Sequence, residues 1–156
     1  MKIDSYYNEF DCNLKSNDSL AFTFNRSFSV KFQSAKIISL HNYSSSFTEG
    51  SAHPNNEYKT INYNLITGEF IVAKEIFKLS KPFKKMIQKL IKQDLLRQEI
   101  DSEPLADITD FYLTADSIVF INLFDIYALS AAEVKIPWKL LEKFMKVDFV
   151  TLLRPN

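Results

Sequence analysis

The stretch from Asp110 to Phe144 reads DFYLTADSIVFINLFDIYALSAAEVKIPWKLLEKF and joins the densest apolar run of the chain to its clearest turn and helix signals. Phe111 to Leu113 and Ile118 to Leu123 predict two strands about Ala115, Asp116 and Ser117. β-Branched and aromatic residues favour a pleated surface, whereas Asp and Ser accept turn geometry. Ile118, Val119, Phe120 and Ile121 are apolar at every position, which predicts a strand covered on both faces. After an irregular segment from Phe124 to Ala132, Val134 to Ile136 predicts a short strand. Pro137, whose fixed φ suits a first helical turn, opens a helix from Trp138 to about Lys146. These residues describe architecture and carry no recognisable catalytic constellation.

Working outward, Ser80 before Lys81 and Pro82 is a helix start, the hydroxyl serving as N-cap. The helix is expected to run to about Glu99. Phe83, Met86, Ile87, Leu90 and Ile91 fall on one face, and Lys84, Lys85, Gln88, Lys89 and Lys92 on the other. Asp101 to Asp107, with Pro104, predicts a returning loop. Val147 to Leu153 is apolar enough for a final strand or a packed tail. In the first half, Phe28, Val30 and Phe32 alternate with polar residues, the period of a half-buried strand. Further strands are expected at Lys36 to Tyr43, extending towards Phe47, at Tyr58 to Asn64 and at Phe70 to Val72. Thr48 to Asn56 is a shaped loop holding Gly50 and Pro54. Thr67 and Gly68 turn the chain. Residues 1–26 read as a loosely ordered arm with one strand at Leu20 to Phe24.

The 156 residues fit one domain, and 46% hydrophobic with 14% aromatic content supplies a sizeable core. With 19 basic and 19 acidic residues, no global field favours nucleic acid or an anionic membrane. The lysine-rich helix face would suit an anionic polymer, but a solvated face is the commoner reason for such a pattern, and no aromatic platform interleaves it. The single Cys12 excludes an intrachain disulfide framework and has no activating partner nearby. No Cys/His cluster has zinc spacing, so neither metal nor cofactor is expected. The opening MKIDSYYNEFDC does not read as an export signal, and no run predicts a membrane helix.

Three stretches, in order, carry a resemblance. They are Gly50-Ser51-Ala52-His53-Pro54 after an Ile38 to Leu40 strand, Asn62-Tyr63-Asn64-Leu65-Ile66-Thr67-Gly68 leading to Glu75-Ile76-Phe77, and Phe111-Tyr112-Leu113-Thr114 through Lys135-Ile136-Pro137. Together they resemble the extracytoplasmic domain family of the anti-sigma factor RsiV and the non-catalytic region of the peptidoglycan deacetylase PdaC, over about Ser27 to Met145. Ser51 and Asn64 depart from the family pattern, which has Gly and Asp there. The resemblance implies an α+β fold, an antiparallel β-sheet with two helices packed on one face, as a single domain over 1–156 with its core at 27–145. It also implies an extracytoplasmic binding module of the kind that includes lysozyme binders.

His53 is the sharpest candidate for chemistry, lying in a loop with Glu49, Gly50, Ser51 and Asn55. An imidazole there serves as base or ligand only with an oriented partner; otherwise it fixes the loop through backbone hydrogen bonds, the commoner role. His41 is expected to be structural. The acids Glu99, Asp101, Glu103, Asp107 and Asp110 lack calcium-loop spacing. The reading adopted is a non-enzymatic binding or sensing module of the bacterial cell envelope, with Glu49, His53, Asn55 and Asn56 as the binding residues and a cell-wall polymer or wall-active protein as partner. Its rivals are a cytoplasmic interaction or immunity-type protein and a hydrolase using His53 with Glu49.

Overall fold

The alternating strands of the first half wind into a four-stranded antiparallel meander. The computed structural model describes residues 21–105 and 110–153. In it β1 (Phe22–Gln33), β2 (Ile37–Thr48), β3 (Asn55–Asn64) and β4 (Glu69–Phe70) lie side by side in that order. β3 begins three residues before the expected Tyr58, so the shaped loop contracts to residues 49–54. Leu20 and most of the expected N-terminal arm lie outside the described residues, as does Cys12.

The register corrects one expectation. Val30 stands opposite Leu40 and Leu40 opposite Ile61, but a bulge follows Val30 and Phe32 pairs with Ser39. One extra residue reverses the side-chain phase of the strand beyond it. Phe22, Phe24, Phe28 and Val30 therefore share the outer face, with Phe28 59% and Val30 53% exposed, and only Phe32 turns in to pack against the core. The expected alternation holds for Phe28 and Val30, whose side faces solvent rather than being half-buried, and the bulge breaks it before Phe32.

A second antiparallel sheet holds β5 (Phe111–Leu113), β6 (Ser117–Phe120) and β7 (Val134–Pro137). Its three strands fall at the expected hairpin and short strand, although β6 ends at Phe120, short of the expected Leu123, and β6 is buried along its whole length. The antiparallel strands thus divide into two sheets. They meet where Ser39 and Asn62, cross-strand partners on β2 and β3, hydrogen-bond the backbone of β5.

Between the sheets' sequences the chain forms α1 (Ala73–Ile76) and α2 (Lys81–Arg97). The Ser80 hydroxyl caps α2, accepting from the Phe83 N–H at 3.3 Å. Phe83, Ile87, Ile91 and Leu95 are buried, and Lys81, Lys84, Lys85, Lys89 and Lys92 are exposed. The helix expected after Pro137 is broken: α3 (Trp138–Leu141) gives way to a 3-10 turn over Glu142–Phe144. Val147 to Leu153, expected as a strand or tail, is a helix, α4 (Val147–Leu153). Helical spacing brings Phe149, Leu152 and Leu153 to one stripe, with Phe149 buried 6.0 Å from the Trp138 ring. Lys78 N–H donates to the Phe144 carbonyl and Lys146 N–H to the Ile76 carbonyl, each at 2.8 Å, locking α4 beside α1. One core cluster runs from Ile37 through Phe77, Ile91, Leu113, Ile118 and Ile136 to Phe149.

Candidate functional site

Past the Ser39–Asn62 junction, the inward face of β2 and β3 carries His41, Tyr43, Tyr58 and Asn56. Tyr43 and Tyr58 are cross-strand partners with ring centroids 5.1 Å apart. The Asn56 side chain then bridges two hydroxyls, accepting from Tyr43 at 3.0 Å and donating to Tyr127 at 3.3 Å. Tyr127 begins a 3-10 turn over Tyr127–Leu129 and stacks on His53 at a centroid distance of 3.9 Å and an interplanar angle of 21°. The His53 Nδ1 lies 3.0 Å from the Pro54 carbonyl, which fixes the ring against its own loop. The result is a ledge of His53, Tyr127, Asn56, Tyr43 and Tyr58 whose side chains hold one another in place.

Of the four residues read from the sequence, the structure brings His53 and Asn56 together. Glu49 does different work: its carboxylate accepts from the Ala21 N–H at 3.4 Å, beside the main-chain bond from Glu49 N–H to the Ala21 carbonyl at 2.9 Å. No hydrogen bond among the described residues joins Glu49 to His53. Asn55 is exposed and pairs with Ser46 in the β2–β3 ladder. Gly50 sits at φ +88°, which only a residue without Cβ adopts freely, and lets the Glu49–Pro54 loop turn.

The ledge continues towards β5 through His41, expected from the sequence to be structural, and through Lys31, Tyr112 and Glu133, which the sequence did not single out. His41, half-buried, lies 5.9 Å from the Tyr58 ring and 5.6 Å from the Tyr112 ring. Its buried Nε2 has no hydrogen-bond partner among the described residues. Burial, and secondly the Lys31 ammonium, hold its pKa below the ordinary histidine value, with Glu133 opposing. Lys31 Nζ stands over the Tyr112 ring at 4.9 Å. The Tyr112 hydroxyl donates to Glu133 at 2.8 Å, and burial together with that bond raises the Tyr112 pKa far above the usual phenol value. Tyr58 is raised mainly by burial.

Elsewhere, Glu103 pairs with Lys92 and Asp110 accepts from Asn122 Nδ2 at 2.7 Å, while Asp107 lies outside the described residues. Surface clefts open against α4, one lined by Glu69, Phe70, Glu75 and Phe149 and another by Lys78, Met145 and Val147. The ledge presents flat rings and the Asn56 amide in fixed orientation. Such groups give contact area and directional hydrogen bonds at small entropic cost. Among the described residues no helix is long and apolar enough to cross a membrane.

No family profile matches the sequence, and no curated protein matches it. Solved structures do. A DUF3298-family protein from Pseudomonas aeruginosa PAO1 is similar at TM-score 0.68 and 20% identity, the alignment covering 86% of this chain and 65% of that one. A DUF3298-family member from Bacteroides fragilis NCTC 9343 is similar at TM-score 0.67 and 19% identity, covering 86% and 58%. The chain spans less than two thirds of either neighbour's length. At these identities the likeness is one of fold, and it fits the RsiV-like resemblance carried by the Gly50–Pro54 and Asn62–Gly68 stretches: the chain has the α+β fold of DUF3298-family proteins.

Proposed function

We propose that this chain is a non-enzymatic binding or sensing module of the bacterial cell envelope, working outside the cytoplasm and recognising a cell-wall component or a wall-active protein of the lysozyme kind. The observation that carries the reading is the Asn56 side chain held between the Tyr43 and Tyr127 hydroxyls with His53 stacked on Tyr127. These side chains are ordered before any partner arrives, which lowers the entropic cost of binding. The envelope location and the partner class rest on the RsiV- and PdaC-like motifs. Catalysis by His53 is disfavoured because its Nδ1 is turned to the Pro54 carbonyl and Glu49 is bonded to Ala21, so that among the described residues no carboxylate orients the imidazole as a base.

Calorimetric titration of the full chain with lysozyme and with soluble peptidoglycan fragments tests the proposal. Binding of either, weakened at least tenfold in a Tyr127→Ala, Asn56→Ala variant that melts as a folded protein, is the expected result. Undiminished affinity in that variant would move the site away from the ledge. Hydrolysis of the fragments that is lost in His53→Ala would overturn the non-enzymatic reading.

A further inference from the structure

Among the described strands, β5, β3 and β4 have edges that are covered or short, whereas β1 has a long open one. β5 turns the peptide groups of Phe111 and Leu113 away from β6, and Asn62 and Ser39 side chains bond them at 2.7 and 2.8 Å. The free edge of β3 receives the Ile71 N–H at the Asn62 carbonyl and Asn122 Nδ2 at the Tyr58 carbonyl. β4 is two residues long. By contrast β1 runs for 12 residues at the edge of its sheet, and residues 21–30 are all exposed. The Ala21 carbonyl accepts from Glu49 N–H, so odd-numbered residues up to Ser29 face β2 and the even-numbered residues from Phe22 to Val30 point their N–H and C=O groups outward.

Long edges are usually blunted by Pro, by Lys or by an obstructing charge. β1 has no Pro. Its one charge before the bulge, Arg26, is folded back over its own sheet, with the guanidinium 4.7 Å above the Phe28 ring and Nε donating to Asn42 Oδ1 at 3.2 Å. The strand is also self-complementary. Paired antiparallel with itself about Ser27, it sets Phe24 against Val30 and Arg26 against Phe28 of the other copy, in both directions. Apolar side chains then meet on the outer face, and each guanidinium gains a second aromatic neighbour. A register centred on Arg26 would oppose like charges.

We propose that β1 pairs with β1 of a second copy of this chain across a two-fold axis at Ser27, joining two four-stranded sheets into one of eight. The pairing is isologous and closes on itself. It also places the Tyr43–Tyr58–Asn56 ledges of both copies on the same side of one continuous sheet, so the dimer is bivalent for any partner the ledge holds. About seven paired residues per strand is a small interface, so association depends on concentration.

Sedimentation equilibrium of the full chain over a wide concentration range is expected to show a reversible dimer. Phe28→Lys and Phe24→Pro, which alter an exposed side chain and an outward N–H, are each expected to raise the dissociation constant at least tenfold. A monomer at every concentration, or an unchanged dimer in Phe28→Lys, overturns the proposal. Cysteine cross-linking then tests the register in a Cys12→Ser background. Ser27 is a non-hydrogen-bonded position, where opposed Cα atoms approach to about 4.5 Å, within disulfide range. Oxidised glutathione should link Ser27→Cys copies and leave Asn25→Cys largely unlinked; the opposite order would refute the Ser27 axis.

Discussion

Ser39 donates its hydroxyl proton to Asn62 Oδ1 at 2.6 Å, and the two side chains together take the place of a strand beside β5. Both residues are buried, and between them they satisfy one main-chain donor and one acceptor that no strand partner reaches. Ser39→Ala leaves the Leu113 N–H without its partner and is expected to cost about 1–3 kcal/mol, the desolvation penalty of a buried polar group. Asn62→Leu should cost at least as much. Because the two side chains form one network, the double variant should lose less than the two single losses added together. Urea titration gives the energies, and faster hydrogen exchange at the Leu113 amide localises them.

His41 makes stability fall in mild acid. Its pKa is lowered in the folded protein from the ordinary 6.5, first by burial beside Tyr58 and Tyr112 and second by Lys31, against the pull of Glu133. The unfolded chain therefore takes up this proton at higher pH than the native state does. The contribution is fully present above about pH 6.5 and is lost as pH falls from there through the folded value. His41→Gln should flatten that part of the stability profile. Denaturation midpoints at pH 7.5 and pH 5, which should converge in the variant and separate in the parent, provide the measurement.

Two phenylalanines separate core from surface. Phe149 is 2% exposed and packs against Trp138, so Phe149→Ala should cost about 3–5 kcal/mol through lost transfer energy and a cavity. Phe28→Ser, at a position 59% exposed, should stay within about 0.5 kcal/mol when measured at low protein concentration. Comparable losses at both sites would mean that the outer face of β1 is covered in the folded monomer.

Gly68 has φ +74°, and the nearest atom to a Cβ placed there is the Tyr63 hydroxyl at an ordinary 3.6 Å. Strain rather than collision sets the cost, so Gly68→Ala should lose about 1–2 kcal/mol. Gly68→Asn should lose less. Asn64 holds the same turn, its Oδ1 accepting from Ile66 and Thr67 N–H at 2.9 and 3.2 Å. Asn64→Asp, which keeps that acceptor, should be mild in thermal melts, whereas Asn64→Leu should not.

Local signals were legible where a residue acts on its neighbours. Ser80 with Pro82 marks the start of α2, Thr67 with Gly68 marks a turn, and the apolar run at Ile118 marks a buried strand. Signals that depend on distant packing were not. Nothing near Lys31 announces a bulge, and the alternation of Phe28 and Val30 reports a period without saying which side meets solvent. Val147 to Leu153 is short enough to suit strand or helix, and burial of Phe149 against Trp138 goes with the helix. In the site, His53 and Asn56 stood out because their loop carries turn residues. Tyr43 and Tyr58 read only as strand residues and Tyr127 as part of an irregular segment, and Tyr127 reaches Asn56 across 71 residues of sequence. Ser39, small and polar in a strand, gave no hint that it is fully buried.

The bulge in β1 leaves one residue surplus to the ladder. Val30 pairs with Leu40 and Phe32 with Ser39, so a chain lacking Lys31 would keep both pairings and return Phe32 to the core on a regular strand. What it would lose is the ammonium above the Tyr112 ring, and with it the second of the two influences that lower the His41 pKa. Length variation at this point therefore acts on the charge of the ledge while sparing the architecture, so that relatives one residue shorter here would keep the fold and titrate differently.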